Sequence, residues 1–407
     1  MDLSRIELIL KEQKTPFYVF FIDEFRKNYQ ELQAAYKGIY NRFQIAYSFK
    51  TNYMPAACKA VFKLNGYAEV VSDHEYAMAK RCGFTPERII VNGPGKWFGL
   101  EEMLRDGAIV MLDNIFELDR ALEISASLNT KPRIGFRLNF DIGTGKQSRF
   151  GFDTDKEETA LAVDRARESK KLEICALHFH LGGSRSLDAW KNRAEKMIDY
   201  SERLLEKQER KIIDLGSGMF GHLHPDFAAQ FHQIIPSFSD YADLVAGAFA
   251  EKYAGLPTEE CPLLVVEPGS TLIADTMAYV TGVIAKKTIR GRAIAMVDGS
   301  VHQLGDLGKK KRLPIHVIRG SGNDDGIVGA DISGFTCLED DVLYRELPQM
   351  LRVGDSLVFE NAGAYTNVMK PPFIRGGCKI LCCTEQGEVS IIKRDETVED
   401  LLSTYEV

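Results

Sequence analysis

The sequence has no apolar run approaching the ~18 residues that a membrane-spanning helix requires. Its first residues, Met1-Asp-Leu-Ser-Arg-Ile-Glu-Leu-Ile-Leu-Lys11, hold no apolar core long enough for a secretory signal. No membrane association is expected. Cysteine pairs are missing as well. The eight cysteines (Cys58, Cys82, Cys175, Cys261, Cys337, Cys378, Cys382 and Cys383) are scattered, and none forms a CxxC. That spacing argues against a structural zinc site and for free thiols in a reducing cytoplasm. Positive charge is not in excess: 51 Lys and Arg stand against 58 Asp and Glu, a net charge of −7. A sequence-blind nucleic-acid binder would need a basic face, so no nucleic-acid partner is expected. The one basic cluster, Lys309-Lys310-Lys311-Arg312, reads as a solvated loop. Internal repeats and low-complexity tracts are also absent.

What is present is a rhythm. Eight short apolar runs end at or next to a polar or glycine residue: Phe43–Phe49 before Lys50, Tyr67–Val71 before Ser72, Arg88–Val91 before Asn92, and Ala108–Leu112 before Asp113. The series continues with Arg133–Phe136 before Arg137, Leu172–Phe179 before His180, Lys211–Leu215 before Gly216-Ser217-Gly218, and Leu263–Val266 before Glu267. Amphipathic helical patterns, such as Glu117–Leu128, Lys156–Ser169 and Leu187–Lys207, fill the intervals. Eight β runs alternating with helices predict an α/β fold, a parallel (β/α)8 barrel over residues 28–268. Chemistry in such a barrel gathers at the C-terminal ends of the strands. After Pro268 β runs follow one another, separated by turn signals such as Asp298-Gly299, Ser321–Gly326 and Gly376-Gly377. Residues 269–407, joined by 1–27 with its run Phe17–Phe21, are therefore expected to form a β-sandwich or small β-barrel domain.

Four motifs carry chemistry. Lys50, at an apolar strand end, would be partly desolvated, which lowers an amine's pKa and suits it to condense with a carbonyl. In Ala176-Leu-His-Phe-His-Leu-Gly-Gly-Ser184, alternation puts His178 and His180 on one face. The pair reads either as a packed histidine beside a surface one or as His180 covering an aromatic cofactor. A zinc pair would need a third ligand, and none is placed by the sequence. Asp214-Leu-Gly-Ser-Gly-Met-Phe-Gly221 follows a strand and can free backbone N–H groups for an anion; it also looks like the DxGxG turn of methyltransferases. Val265-Val-Glu-Pro-Gly-Ser270 places a carboxylate where it could keep a pyridine nitrogen protonated.

In order along the chain, these motifs resemble those of the fold-type III pyridoxal-phosphate enzymes, and most closely the diaminopimelate, ornithine and arginine decarboxylases. The resemblance is carried by Thr15-Pro-Phe-Tyr-Val19, Ala46-Tyr-Ser-Phe-Lys-Thr-Asn52, Val71-Ser-Asp-His-Glu75, Val91-Asn-Gly-Pro-Gly-Lys96, Ser148-Arg-Phe-Gly151, His178-Phe-His-Leu-Gly182, Gly216-Ser-Gly218, Glu267-Pro-Gly269, Cys337 and Gly363-Ala-Tyr365. It implies an alanine racemase-like pair of domains, pyridoxal 5'-phosphate as cofactor, and a homodimer with shared active sites. It implies that Lys50 carries the cofactor covalently, that His180 stacks on its ring and that Glu267 pairs with the ring nitrogen. Gly216, Ser217, Gly218 and Tyr365 would hold the phosphate, with Arg137 and Glu75 supporting the pocket. Cys337 would enter from the partner subunit and act near Cα. Asn92 and Arg149 match motif positions without an implied role.

The implied reaction is removal of an amino acid's α-carboxylate, that of a carboxy-lyase. Racemases of this fold usually set an arginine against the ring nitrogen, so Glu267 favours decarboxylation over racemisation. A catalytically silent relative is the non-enzymatic alternative. The sequence departs from the family pattern where the substrate's far end would be read. Ser270 replaces the arginine of Glu-Pro-Gly-Arg. Leu338 follows Cys337 where diaminopimelate decarboxylases carry glutamate, with Glu339 beyond. Arg312-Leu-Pro-Ile-His316 replaces Arg-Pro-x-Leu-Tyr, and Glu69 stands where many relatives have aspartate. The expected substrate is therefore a diamino acid or an N-substituted, secondary-metabolite derivative rather than meso-diaminopimelate.

Overall fold

The apolar runs are rich in Val, Ile, Leu and Phe, which suits strands covered on both faces. In the computed structural model, which describes residues 2–305, 311–322 and 325–406, they become those strands. The chain forms two compact units. One comprises Arg26–Gly221 and Ile234–Thr271; the other comprises Met1–Phe25, His222–Gln233 and Leu272–Val407.

The first strand, β1 (Phe17–Phe21), belongs to the second unit. The first unit is a closed eight-stranded parallel barrel. Its strands are β2 (Phe43–Ser48), β3 (Tyr67–Val70), β4 (Ile89–Val91), β5 (Ile109–Leu112) and β6 (Arg133–Asn139), then β8 (Glu173–His178), β9 (Ile212–Asp214) and β10 (Leu263–Val266). Neighbours pair in parallel, β5 joins β6, and β10 returns to β2. The short β7 (Phe152–Asp153) attaches only to β6. Ala46, Ile90, Ile109, Met111, Cys175, Ala176, Ile212 and Val265 form a packed cluster in this unit, with Tyr67 and Leu263 against it. Gly135 in β6 admits no larger residue, because a Cβ there would lie 2.7 Å from the Ala176 Cβ and 2.8 Å from its carbonyl oxygen.

Local chemistry fixes the helix starts. Ser72, Asn114, Ser186 and Ser237 each cap a helix by accepting a backbone N–H, and Ser237 forms a reciprocal capping box with Asp240. The cap at Asn114 also fastens two strand-end loops together. Glu117, in that helix's first turn, accepts from Asp113 N at 2.8 Å and meets the fully buried Lys96 Nζ at 2.9 Å. Burial pushes the lysine pKa down and the glutamate pKa up.

The second unit is built on a branched nine-stranded sheet. Its strands after β1 are β11 (Met277–Ile289), β12 (Arg292–Val297), β13 (Ile315–Ile318), β14 (Ala330–Ser333), β15 (Val342–Leu347), β16 (Ser356–Phe359), β17 (Lys379–Cys383) and β18 (Val389–Lys393). The main path runs β15-β14-β12-β11-β1-β17-β18, with β16 pairing both β11 and β13. β1 lies antiparallel to β11 and parallel to β17. The core beneath joins Phe17, Val19, Phe21, Ala278, Val280, Val358 and Leu381 to Ile6 and Ile9 of the first helix, Leu3–Glu12.

The segment His222–Gln233 leaves the barrel sequence and packs in this second unit. Gln230 anchors it there, donating to the Arg312 carbonyl at 2.7 Å and accepting from Arg312 N at 3.0 Å. Lys311 adds a bond to the Gln230 carbonyl at 2.9 Å. The basic run, expected as a solvated loop, is held at Lys311 and Arg312 by these bonds, and Arg312 is exposed; Lys309 and Lys310 lie outside the described residues, as do Asn323 and Asp324 of the Ser321–Gly326 turn. Among the described residues no helix is long and apolar enough to cross a membrane.

Candidate active site

The C-terminal ends of the barrel strands bring acidic, basic and imidazole side chains into one largely buried network. Lys50 lies two residues past β2, in the one-turn helix Phe49–Thr51. Its Nζ is 2.6 Å from Glu69 Oε2, and its side chain remains about a third exposed. Glu69 is fully buried on β3, and also accepts from Ser48 Oγ at 2.6 Å. The register makes that bond natural, because Ser48 and Glu69 are direct partners on adjacent strands.

Glu267, one residue past β10, sits in the dry part of the network. Asn92, one residue past β4, donates to its Oε1, and His178 Nε2 lies 3.3 Å from its Oε2. Burial alone would raise the Glu267 pKa, but His178, Lys50 and His180 hold it well below the usual carboxylate range. Asp214 moves the other way. Burial and then the charge of Glu267 raise its pKa far above normal. The two carboxylates are thus pushed in opposite directions, Glu267 toward its anion and Asp214 toward its protonated form. Register again explains the meeting: His178 pairs with Asp214 across β8 and β9, and with Arg137 across β6 and β8.

His180 is set by the glycine turn after β9. Ser217 N donates to its Nδ1 at 3.1 Å, which leaves the ring proton on Nε2. Burial and the nearby Lys50 charge keep the ring neutral, its pKa well below the ordinary value. Gly216 has φ +61°, and a Cβ there would stand 2.6 Å from the Phe179 carbonyl and 2.7 Å from the His180 Cβ. Only glycine can make this turn while leaving the imidazole in place. Arg137 supports the same ring, donating to the His180 carbonyl at 3.2 Å. Glu75 accepts from Val71 N at 2.8 Å; burial, reinforced by Glu69, pushes its pKa up to about 7.

These groups fit a phosphorylated aromatic aldehyde on the chemistry of the donors alone. They present a reachable amine, a neutral flat imidazole, a carboxylate kept anionic without solvent, and a glycine turn with positive φ at both Gly216 and Gly218. The model of the family "pyridoxal-dependent decarboxylase, pyridoxal binding domain" matches residues 22–274. The chain belongs to this family.

Curated relatives span the whole length. The chain is 28% identical to the diaminopimelate decarboxylase of Aquifex aeolicus, covering 95% of this chain and 90% of that one. It is 24% identical to the L-glutamyl-[BtrI acyl-carrier protein] decarboxylase of Niallia circulans, over 99% and 96% respectively. The crystal structure of diaminopimelate decarboxylase from M. jannaschii superposes with a TM-score of 0.84, at 25% identity, over 99% of this chain and 94% of that one. Like other pyridoxal-dependent decarboxylases, the protein is an amino-acid decarboxylase that uses pyridoxal phosphate. The methyltransferase reading of Asp214–Gly218 is thereby excluded; that turn follows the seventh strand of a closed barrel, not a nucleotide-binding sheet.

Of the residues singled out in the sequence, Lys50, Glu75, Arg137, His180, Gly216, Ser217, Gly218 and Glu267 lie in the barrel unit, as does Ser270, which opens a one-turn helix. Arg312, His316, Cys337, Leu338, Glu339 and Tyr365 belong to the sheet unit, where Cys337 is exposed and Tyr365 has φ +57°. Arg149 stacks on Phe150, with its guanidinium 4.1 Å from the ring centre. The two histidines of HxH do not converge on one point; His178 faces Glu267 and Asp214 while His180 faces the glycine turn.

Sequence reading gave no role to Asn92 and none to Arg193. The Arg193 guanidinium is fully buried, lies 4.2 Å from the Trp190 ring centre, and donates to the Leu215 and Ser217 carbonyls at 3.0 Å each and to Leu181 at 3.4 Å. Burial lowers its pKa to about 10. It pins both backbone segments that frame His180. The signal was present in the helix Leu187–Leu204, where Arg193 sits on the buried stripe with Trp190, Ala194 and Met197. Arg193→Met is expected to strand three carbonyls, at a cost of about 3 kcal/mol or more in denaturant unfolding. The same variant should retain pyridoxal phosphate less tightly on dialysis, and Arg193→Lys should fall between, since an ammonium cannot span all three acceptors. Unchanged cofactor retention in a destabilised Arg193→Met would confine the residue to a packing role.

Proposed function

We propose that the protein decarboxylates an amino acid whose distal end is not the free amino-carboxylate of meso-diaminopimelate, namely a diamino acid or an N-substituted derivative of one. The observation that carries this reading is Ser270. It directly follows Glu267-Pro-Gly269, where the family's usual arginine would supply a cation. A hydroxyl there cannot balance a carboxylate, and a site that lacks a charged partner discriminates strongly against the charged substrate. Leu338 after Cys337 removes a second charge from the family pattern, and His316 replaces a phenol with an imidazole. The Niallia circulans relative carries a name that specifies a glutamyl group attached to a carrier protein, so substituted substrates occur among proteins of this similarity.

In this reading Lys50 binds the cofactor aldehyde, His180 covers its ring and Glu267 faces its nitrogen. Gly216, Ser217 and Gly218 hold its phosphate. Bound pyridoxal phosphate supplies a sink for the electron pair left at Cα when carbon dioxide departs. Glu267 keeps a proton on the ring nitrogen because its own proton affinity is low and His178 and Asn92 fix its oxygens. Glu69 orients the Lys50 amine and accepts its hydrogen bond. Arg137 and Glu75 hold the strand ends to which these residues are attached. The Cys337 thiol or a nearby acid returns a proton to Cα. Cys337 comes from the partner subunit in a homodimer with shared sites.

The test is carbon dioxide release from the cofactor-loaded protein offered diaminopimelate, lysine, ornithine, arginine, 2,3-diaminopropionate and N-acylated diamino acids. A distal end that lacks the second carboxylate, whether a free amine or an N-substituted one, should give kcat/KM at least about 100-fold above meso-diaminopimelate, the range expected for one lost polar partner. Preference for meso-diaminopimelate would overturn the assignment.

A further inference from the structure

We propose that His224, His316 and Glu360 form a site for one divalent transition-metal ion of the zinc class, binding the excursion His222–Gln233 to the sheet unit. Sequence spacing offers no hint of this metal site, because the three residues come from distant segments. His224 precedes the short helix Pro225–Ala228, His316 lies in β13, and Glu360 follows β16 directly. β13 and β16 pair antiparallel; His316 is paired with Val358, and Glu360, two residues further along the same face, is its diagonal neighbour. One ligating atom from each of the three residues lies within 4.8 Å of the others.

Two observations point to a ligand rather than to an ordinary ion pair. The first is the direction of the His316 ring. Its Nε2 is buried and only 2.8 Å from Glu360 Oε1, yet it makes no hydrogen bond. A close approach without hydrogen-bond alignment is the relation of two donors that share a third centre. The second is Glu360 itself. Its side chain is nine-tenths buried and makes no side-chain hydrogen bond among the described residues, with imidazoles as its neighbours. A carboxylate so placed is costly without a cation.

Two imidazoles and one carboxylate select the metal class. Calcium and magnesium prefer oxygen sets, whereas imidazole nitrogen suits zinc and its neighbours. Three protein ligands leave a fourth position for water or an anionic oxygen. The His224 ring would ligate through Nε2. Its Nδ1 now accepts a 3.2 Å bond from Asp226 N and lies 3.8 Å from Asp226 Oδ2. On binding, the proton moves to Nδ1 and turns to that carboxylate, the outer partner that zinc-bound histidines commonly have. The loss is one long capping bond.

The experiment uses full-length, cofactor-loaded protein stripped with a chelator and titrated with Zn2+ by calorimetry. The expected result is one ion per chain, bound at about 1 μM or tighter, with a rise in Tm on zinc addition. His224→Ala, on a partly exposed turn, and His316→Gln should each weaken binding at least about 100-fold and remove the Tm rise. His232→Ala should leave both unchanged. Substoichiometric binding, or equal affinity in wild type and His224→Ala, would overturn the proposal. The second outcome would place the ion instead at His178, Asp214 and Glu267. Because the readout is binding, it stands apart from the identity of the amino-acid substrate.

Discussion

Lys50→Ala should leave a folded protein with decarboxylase activity reduced by at least about 10^4-fold, the upper range for a single group that acts directly on the reacting atoms. The amine is the reachable end of an otherwise buried network, a third exposed while its partner Glu69 is not. Its loss removes both the nucleophile and a cation paired with that glutamate. Two variants separate the effects. Lys50→Arg keeps a positive charge near Glu69, but a guanidinium stays protonated and cannot attack a carbonyl. Both should lose activity, and neither should retain cofactor after borohydride treatment, whereas wild type should carry it through denaturation as a covalent adduct. Only Lys50→Ala should also show a markedly lower unfolding midpoint. Retention of the borohydride adduct in purified Lys50→Ala would move the attachment point elsewhere and sink the assignment.

How far the sequence discloses this site depends on which interactions are local. The barrel is legible because each strand is a short apolar run and each run ends near a residue of distinct chemistry. Lys50, His180, Gly216 and Glu267 are all found that way. The network that sets their properties is not legible, because its pairs are 19 to 175 residues apart: Lys50 with Glu69, Asn92 with Glu267. Strand register creates those contacts, and a single sequence does not print register. Asp214 shows the limit well. Its motif suggested a phosphate turn or a methyltransferase, but its titration is set by burial and then by Glu267, one residue past the next strand in the barrel. Arg193 was hidden differently. An arginine on a helix reads as surface charge until its neighbours on the same stripe are seen to be Trp190 and Met197. The excursion His222–Gln233 has no signature at all, since its anchors are Gln230 against the Arg312 backbone.

The second large effect concerns where the single negative charge resides. Glu267→Gln keeps the shape of the side chain and an oxygen for Asn92 to reach, but removes the charge. Activity of the cofactor-saturated enzyme should fall about 10^2- to 10^3-fold, the size associated with one preorganised electrostatic group. It should not vanish, because Asp214 is protonated chiefly through burial and the charge of Glu267. Once that charge is gone the Asp214 pKa drops, and this second carboxylate can ionise in the same network. The double variant Glu267→Gln/Asp214→Asn should therefore lose considerably more than Glu267→Gln alone. Asp214→Asn by itself should keep most of its activity. Its amide replaces a carboxyl that burial and Glu267 already push toward the neutral form, and its oxygen can still accept from Gly216 N, now 2.9 Å from Asp214 Oδ1. Measuring kcat/KM for all three variants at matched cofactor occupancy decides the matter. If Asp214→Asn proved as damaging as Glu267→Gln, the charge would sit on Asp214, and the roles of the two carboxylates would be reversed.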